Sequence, residues 1–235
     1  MNNFHQDDHN KIIPMPSRAA HEKAKQEKAQ NKGGPREPMI NMPPFTKYAL
    51  GILIGLYFLT AVLLPTSISD WLYYNFGFIP EKFQSGTFDL FSLTSPITHM
   101  VLHGSWVHVI MNAFMLAAFG SGVERWLGAK KTIYVFIFSG LAGAALHFLL
   151  NTGSPYPMIG ASGGISGLFA AAIVMMNRGG PEMGGKFGIL PFALLWIGLS
   201  IGFGMLGGPD GSMIAWAAHV GGFLGGFAIL KIMKI

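Results

Sequence analysis

An all-α membrane protein is the fold class that this sequence predicts, and three observations predict it. Of the 235 residues, 51% are hydrophobic and only 11% are charged, against about 25% charged in an ordinary soluble domain. The apolar residues gather in six runs, as in a polytopic membrane protein. All Lys and Arg except Lys82 lie before Tyr48, in the second and fourth inter-span turns, or at the C-terminus. That one-sided bias is the charge signature of a polytopic protein with both termini on the cytoplasmic face.

Residues 1–44 are polar, and Gly33, Gly34, Pro35, Pro38, Pro43 and Pro44 interrupt any helix there. The segment reads as a disordered cytoplasmic tail with too little apolar surface to fold alone. It has no apolar core of the signal-peptide kind. Residues 45–235 read as one six-helix domain. The spans are expected at 48–64, 103–126, 132–150, 162–176, 189–205 and 212–232. Between the first two lies a half-apolar loop, 66–102, whose many aromatic residues suit the membrane interface. The fourth span is short. Fifteen helical residues reach about 22 Å, less than the roughly 30 Å hydrocarbon core. Its N-terminal end therefore stops below the outer surface, and the irregular backbone before it must line water or protein.

The net charge of +5 resides in the tail and in short edge loops without interleaved aromatics, which argues against a nucleic-acid partner. Absence of cysteine excludes a thiol nucleophile, a disulfide framework and a Cys-ligated zinc site. No His-Glu-x-x-His run supports a metalloprotease, so His99-x-x-x-His103 and Gly208-Pro-Asp-Gly211 stand alone and no metal is expected. No aspartate pair lies within the spans, and no cofactor motif is present.

The chemistry centres on Ser162, at the junction of the glycine-rich turn Met158-Ile-Gly-Ala-Ser-Gly-Gly164 and the fourth span. A hydroxyl there meets the unpaired N–H groups and positive pole of a helix start. His219 lies about 10 Å into the sixth span, at matching depth. The glycines around it, with Gly163, Gly164 and Gly167 opposite, allow the two helices to approach closely. A base would thereby reach the hydroxyl. No carboxylate is placed to complete a triad, Asp210 and Glu124 both being too far along, so a Ser-His dyad is expected. His108 and Asn112 share one face of the second span, and both can donate to an oxyanion. Glu124 is expected to accept structural hydrogen bonds at the cytoplasmic edge, Ser166 to pack, and His147 to be a satisfied core histidine. His103 is open between supporting the loop and lining the site.

These residues resemble the rhomboid intramembrane serine proteases of the six-span prokaryotic type. The carriers are Gly160-Ala-Ser-Gly163, His103 followed by His108-x-x-x-Asn112, Ala218-His219-x-x-Gly222-x-x-x-Gly226, and Gly120-x-x-x-Glu124-x-x-x-Gly128. The resemblance implies a six-transmembrane-helix bundle acting as a serine endopeptidase, with Ser162 as nucleophile and His219 as base. It implies that His108, Asn112 and the Ser162 backbone N–H bind the oxyanion. It implies membrane-anchored protein substrates cut near the outer boundary of their spans, and a bacterial plasma membrane as the setting. Two positions depart from the family pattern. Phe91-Ser92 stands where Trp-Arg is frequent in the first loop, and Ser166 stands where an aromatic often stacks on the histidine. The alternative activity is a catalytically silent client-binding protein of the same fold. A transporter is disfavoured because no second half resembles the first and no acidic residue lies mid-membrane.

Overall fold

Pro44 occupies the first turn of the first long helix, where a missing N–H removes no helical bond. The computed structural model describes residues 4–6, 12–14, 22, 41–86, 89–178, 190–207 and 214–235. The chain divides into two units, Met1–Asn41 and Met42–Ile235. In the first, strands β1 (Phe4–Gln6) and β2 (Ile12–Pro14) pair antiparallel with Phe4 opposite Pro14. Most of the segment expected to be a disordered tail lies outside the described residues.

The second unit is an all-helical membrane bundle. Its spans are α1 (Pro44–Leu63), α5 (Trp106–Leu127), α6 (Ala129–Leu150), α7 (Ser162–Arg178), α8 (Leu190–Leu206) and α9 (Trp216–Ile232). The first three have 20, 22 and 22 residues and are long and apolar enough to cross a bilayer. The last three have 17 each, and a 17-residue helix reaches about 25 Å. Thus α7 starts where expected, at Ser162, and runs two residues further than the sequence suggested. The turn 208–213, with Asp210, lies outside the described residues.

The loop between α1 and α5 is more ordered than its composition announced. It contains α2 (Thr66–Phe76), α3 (Pro80–Gln84) and α4 (Leu90–Thr98). Asp89 caps α4 by accepting from the Ser92 N–H at 2.8 Å and the Ser92 hydroxyl at 2.8 Å. Those bonds hold its carboxyl below the ordinary carboxylate range. Trp71, Phe76 and Phe91 form an edge-to-face trio with centroids 5.3 to 6.0 Å apart. Phe91-Ser92 thus fixes the loop through rings and a cap. A two-bond bridge joins the loop to the turn before α7, with Phe78 N–H to Met158 O at 3.0 Å and Met158 N–H to Phe78 O at 2.8 Å.

At the other end, Glu124 acts as expected. One oxygen accepts the Phe45 N–H at 2.8 Å, and the other accepts the Thr46 N–H at 2.8 Å and the Thr46 hydroxyl at 2.9 Å. A buried carboxylate thereby satisfies the first-turn donors of α1, which sits at the positive end of its dipole. Gly128 then turns the chain into α6 with φ of 78°, a left-handed conformation that glycine adopts without strain.

Inside the bundle, Leu116, Val123, Val135, Ile165, Leu168 and Ala171 form an apolar core between α5, α6 and α7. Outside it, Ile52, Leu63, Phe114, Leu194, Leu195 and Leu224 are exposed. In a bilayer such a surface is solvated by acyl chains, so it carries no aggregation penalty there. The tightest contact is between α7 and α9. A Cβ on Gly222 would collide with the Gly163 carbonyl oxygen and lie 2.9 Å from its Cα. A Cβ on Gly226 would lie 2.7 Å from Gly167 Cα. On the other flank of α9, Gly143 of α6 faces the Ala218 backbone. The glycine pairs therefore let three backbones meet. Gly222→Val should force α7 and α9 apart and lower the midpoint of thermal unfolding in detergent by several degrees; an unchanged midpoint would contradict this contact.

Candidate functional site

Ser162 is the first residue of α7. The first bond of the helix runs from the Ile165 N–H to the Ala161 carbonyl at 3.0 Å. The N–H groups of residues 162 to 164 thus have no intrahelical acceptor and carry the positive pole of the dipole. Ser166, one turn below, is fully buried and donates its hydroxyl to the Ser162 carbonyl at 2.7 Å, so it packs as expected. The turn before the helix is fixed from two sides. Met158 pairs with Phe78, and the Gly160 N–H donates to the His99 carbonyl at 2.9 Å. Gly160 has φ of 121°, which favours glycine.

A cavity of about 440 Å³ opens at this point. Ser162, His219, His108 and Asn112 all line it. The structure therefore brings together the four residues singled out from the sequence. Ser162, His108 and His219 are half-buried and Asn112 is buried. Apolar side chains, among them Met111, Met115, Ile165 and Leu199, make up most of the remaining wall. Among the described residues, no hydrogen bond joins the Ser162 hydroxyl to the His219 ring, and catalytic hydrogen bonds are often long before substrate binds. Among the described residues, no carboxylate lines the cavity.

His108 stands over the turn. A Cβ on Gly160 would lie 2.6 Å from His108 Nε2 and 3.7 Å from Asn112 Nδ2. The imidazole and the amide of α5 therefore converge on the backbone just before Ser162. The helix that carries them is capped by Ser105, whose hydroxyl accepts the His108 N–H at 3.1 Å. His103 proves to be a support rather than a wall of the cavity. Its ring is 1% exposed and lies edge-on to His108 at 5.0 Å. Its carbonyl accepts the Tyr73 hydroxyl at 2.9 Å, which ties α2 to the start of α5. His147 finds its partner in Asn151, whose amide lies 3.4 Å from His147 Nδ1 and donates to the His147 carbonyl at 3.0 Å.

The family model for the Rhomboid domain matches residues 91–234, more than half of the chain. This chain belongs to the rhomboid family. Similar curated proteins include rhomboid protease GluP of Bacillus subtilis, 30% identical over 131 residues, which are 56% of this chain and 24% of that protein. RHOMBOID-like protein 5 of Arabidopsis thaliana is 30% identical over 126 residues, 54% of this chain and 39% of that protein. Putative rhomboid protease YdcA of Bacillus subtilis is 29% identical over 133 residues, 57% of this chain and 63% of that protein. The match thus spans less than two thirds of the length of each of these relatives. The protein is an integral membrane member of the rhomboid family.

Two participants in this rhomboid cavity escaped the sequence reading. His99 was noticed only for its spacing to His103, yet its carbonyl holds Gly160 and its residue lines the cavity. Trp196 of α8 also lines it, and sits among apolar neighbours that gave no polar signal. The Gly160 contact makes a prediction about the rhomboid site. Gly160→Ala should displace His108 and lower the midpoint of thermal unfolding in detergent by several degrees. An unchanged midpoint would mean that the two residues do not touch.

Proposed function

We propose that this chain is an intramembrane serine endopeptidase that hydrolyses peptide bonds in or near the transmembrane segments of membrane-anchored proteins. The observation that carries the reading is that a hydroxyl at a helix start, an imidazole and two hydrogen-bond donors line one cavity inside a membrane bundle. Family membership supports the same chemistry.

In this reading the Ser162 hydroxyl attacks the scissile carbonyl while His219 accepts its proton. The carbonyl oxygen becomes an oxyanion, held by the His108 and Asn112 side chains and the Ser162 N–H. Each donor aimed at that oxygen supplies about 3 kcal/mol of transition-state stabilisation. The C–N bond breaks, and His219 returns the proton to the leaving amine. Water then attacks the acyl-serine, His219 takes its proton, and the serine is released. The cavity wall is mostly apolar, which strengthens these donors by keeping bulk solvent away. No cofactor is required by this scheme. The lysine and arginine bias supports cytoplasmic termini, with α7 starting toward the outer leaflet. A bacterial plasma membrane is the setting we propose, together with the division into a tail over 1–44 and a protease domain over 45–235.

A fluorophosphonate probe on the detergent-solubilised chain tests the assignment. Labelling is expected in the native chain and absent in Ser162→Ala; an unlabelled native chain would favour the silent client-binding protein instead. Asn112→Ala should lower kcat for a model substrate by about a hundredfold while leaving the protein folded. Unchanged turnover would remove Asn112 from the oxyanion site.

A further inference from the structure

Among the described residues that line the cavity, none is a carboxylate that could orient His219. Among the described residues, no hydrogen bond holds its ring either. Its own helix offers little restraint, because Gly221 and Gly222 are pressed against Ala142 of α6 and Gly163 of α7 rather than flanking the ring. Ser166 directs its hydroxyl to the Ser162 carbonyl. An imidazole on a two-torsion side chain would then sample several rotamers. Packing must select one of them.

Trp196 is the one aromatic ring packed against His219 among the described residues, with centroids 6.5 Å apart and planes 37° apart. It is itself held firmly. Phe169 of α7 lies at 4.7 Å and Phe119 of α5 at 6.4 Å. Phe169 in turn packs on Phe223 of α9 at 5.9 Å. Ala193, Trp196 and Ile197 are the residues by which α8 packs on the cluster of Ala170, Ile173 and Phe223. The indole N–H is buried without a hydrogen-bond partner among the described residues, so Trp196 acts there through its ring and not its polar edge. The rest of α8 presents exposed Leu194, Leu195 and Leu199.

We infer that Trp196 is a positioning residue: it braces the His219 imidazole from α8, so that the base is aligned with Ser162 only while α8 is docked on α7 and α9. The inference deepens the hydrolase reading above and rests on it.

The test compares Trp196→Leu and Trp196→Phe in the full detergent-solubilised chain. Three quantities are read: kcat and KM on a single-span model substrate, and the rate of fluorophosphonate labelling at Ser162. Trp196→Leu should lower kcat and the labelling rate together by about tenfold with KM changed less than about twofold. Trp196→Phe, which keeps a ring at the site, should recover most of both. If Trp196→Leu does not fold, Trp196→Met is read in the same assays with the same expectation. A labelling rate that is unchanged in the non-aromatic variant, or a rise in turnover, would overturn the brace and leave Trp196 as a plug between helices. Equal losses in the phenylalanine and leucine variants would overturn it too. A native chain that fails to label removes the hydrolase reading and the brace together, whereas a native chain that labels beside indifferent variants removes the brace alone.

Discussion

The backbone of Gly163 and the Cα of Gly222 touch, and the site depends on that contact. Helices with side chains at these positions would stand a few Å further apart, since ordinary interaxial separations are 8–10 Å. Ser162 and His219 are each within three residues of the contact, one on each helix. The close approach that puts both on one cavity wall is a consequence of two missing Cβ atoms. In a bilayer the effect is reinforced, because lipid supplies no hydrophobic force to push helices together and packing has to do so. Gly226 against Gly167 continues the seam one turn deeper, and Gly143 against Ala218 brings α6 into the same junction.

The turn before Ser162 is the second constraint. A polar loop inside a membrane must satisfy its backbone internally. Here the first extramembrane loop provides for it: Phe78 bonds to Met158 in both directions, and the His99 carbonyl takes the Gly160 N–H. The cap at Asp89, the aromatic trio and the Tyr73 bond to His103 steady that loop in turn. The loop thus serves the site without lining it for most of its length. At the opposite end Glu124 fastens the start of α1, so both ends of the bundle are tied by hydrogen bonds while its middle relies on close packing.

Much of this was legible in the residues. Charge bias and apolar runs marked the six spans because a bilayer punishes any other placement of Lys and Arg. Ser162, His219, His108 and Asn112 stood out since a polar group within a span needs a reason. The glycine spacing that joins α7 to α9 was visible for the same cause. What stayed hidden was the part made of ordinary residues. Helices α2 to α4 arise from local caps and ring packing within a stretch whose composition says only that it is interfacial. The role of His99 is played by its carbonyl, which every residue possesses. Trp196 sits in a span of uniform apolarity, where sequence gives no hint of which face meets the histidine. The π turns at Leu59–Leu63 and Leu116–Gly120 are likewise invisible to a helical periodicity. The role of His103 depended on a few Å, since α5 starts at Trp106 and leaves it in the connection before the helix.

The most direct measurement is an experimental structure of the chain after reaction with a phosphonate in a lipid environment. The account predicts a covalent bond to Ser162 Oγ, with the phosphoryl oxygen about 3 Å from the His108 ring and the Asn112 amide and the His219 ring beside the serine. An adduct whose oxygen points away from both donors, or a His219 turned toward lipid, would contradict it.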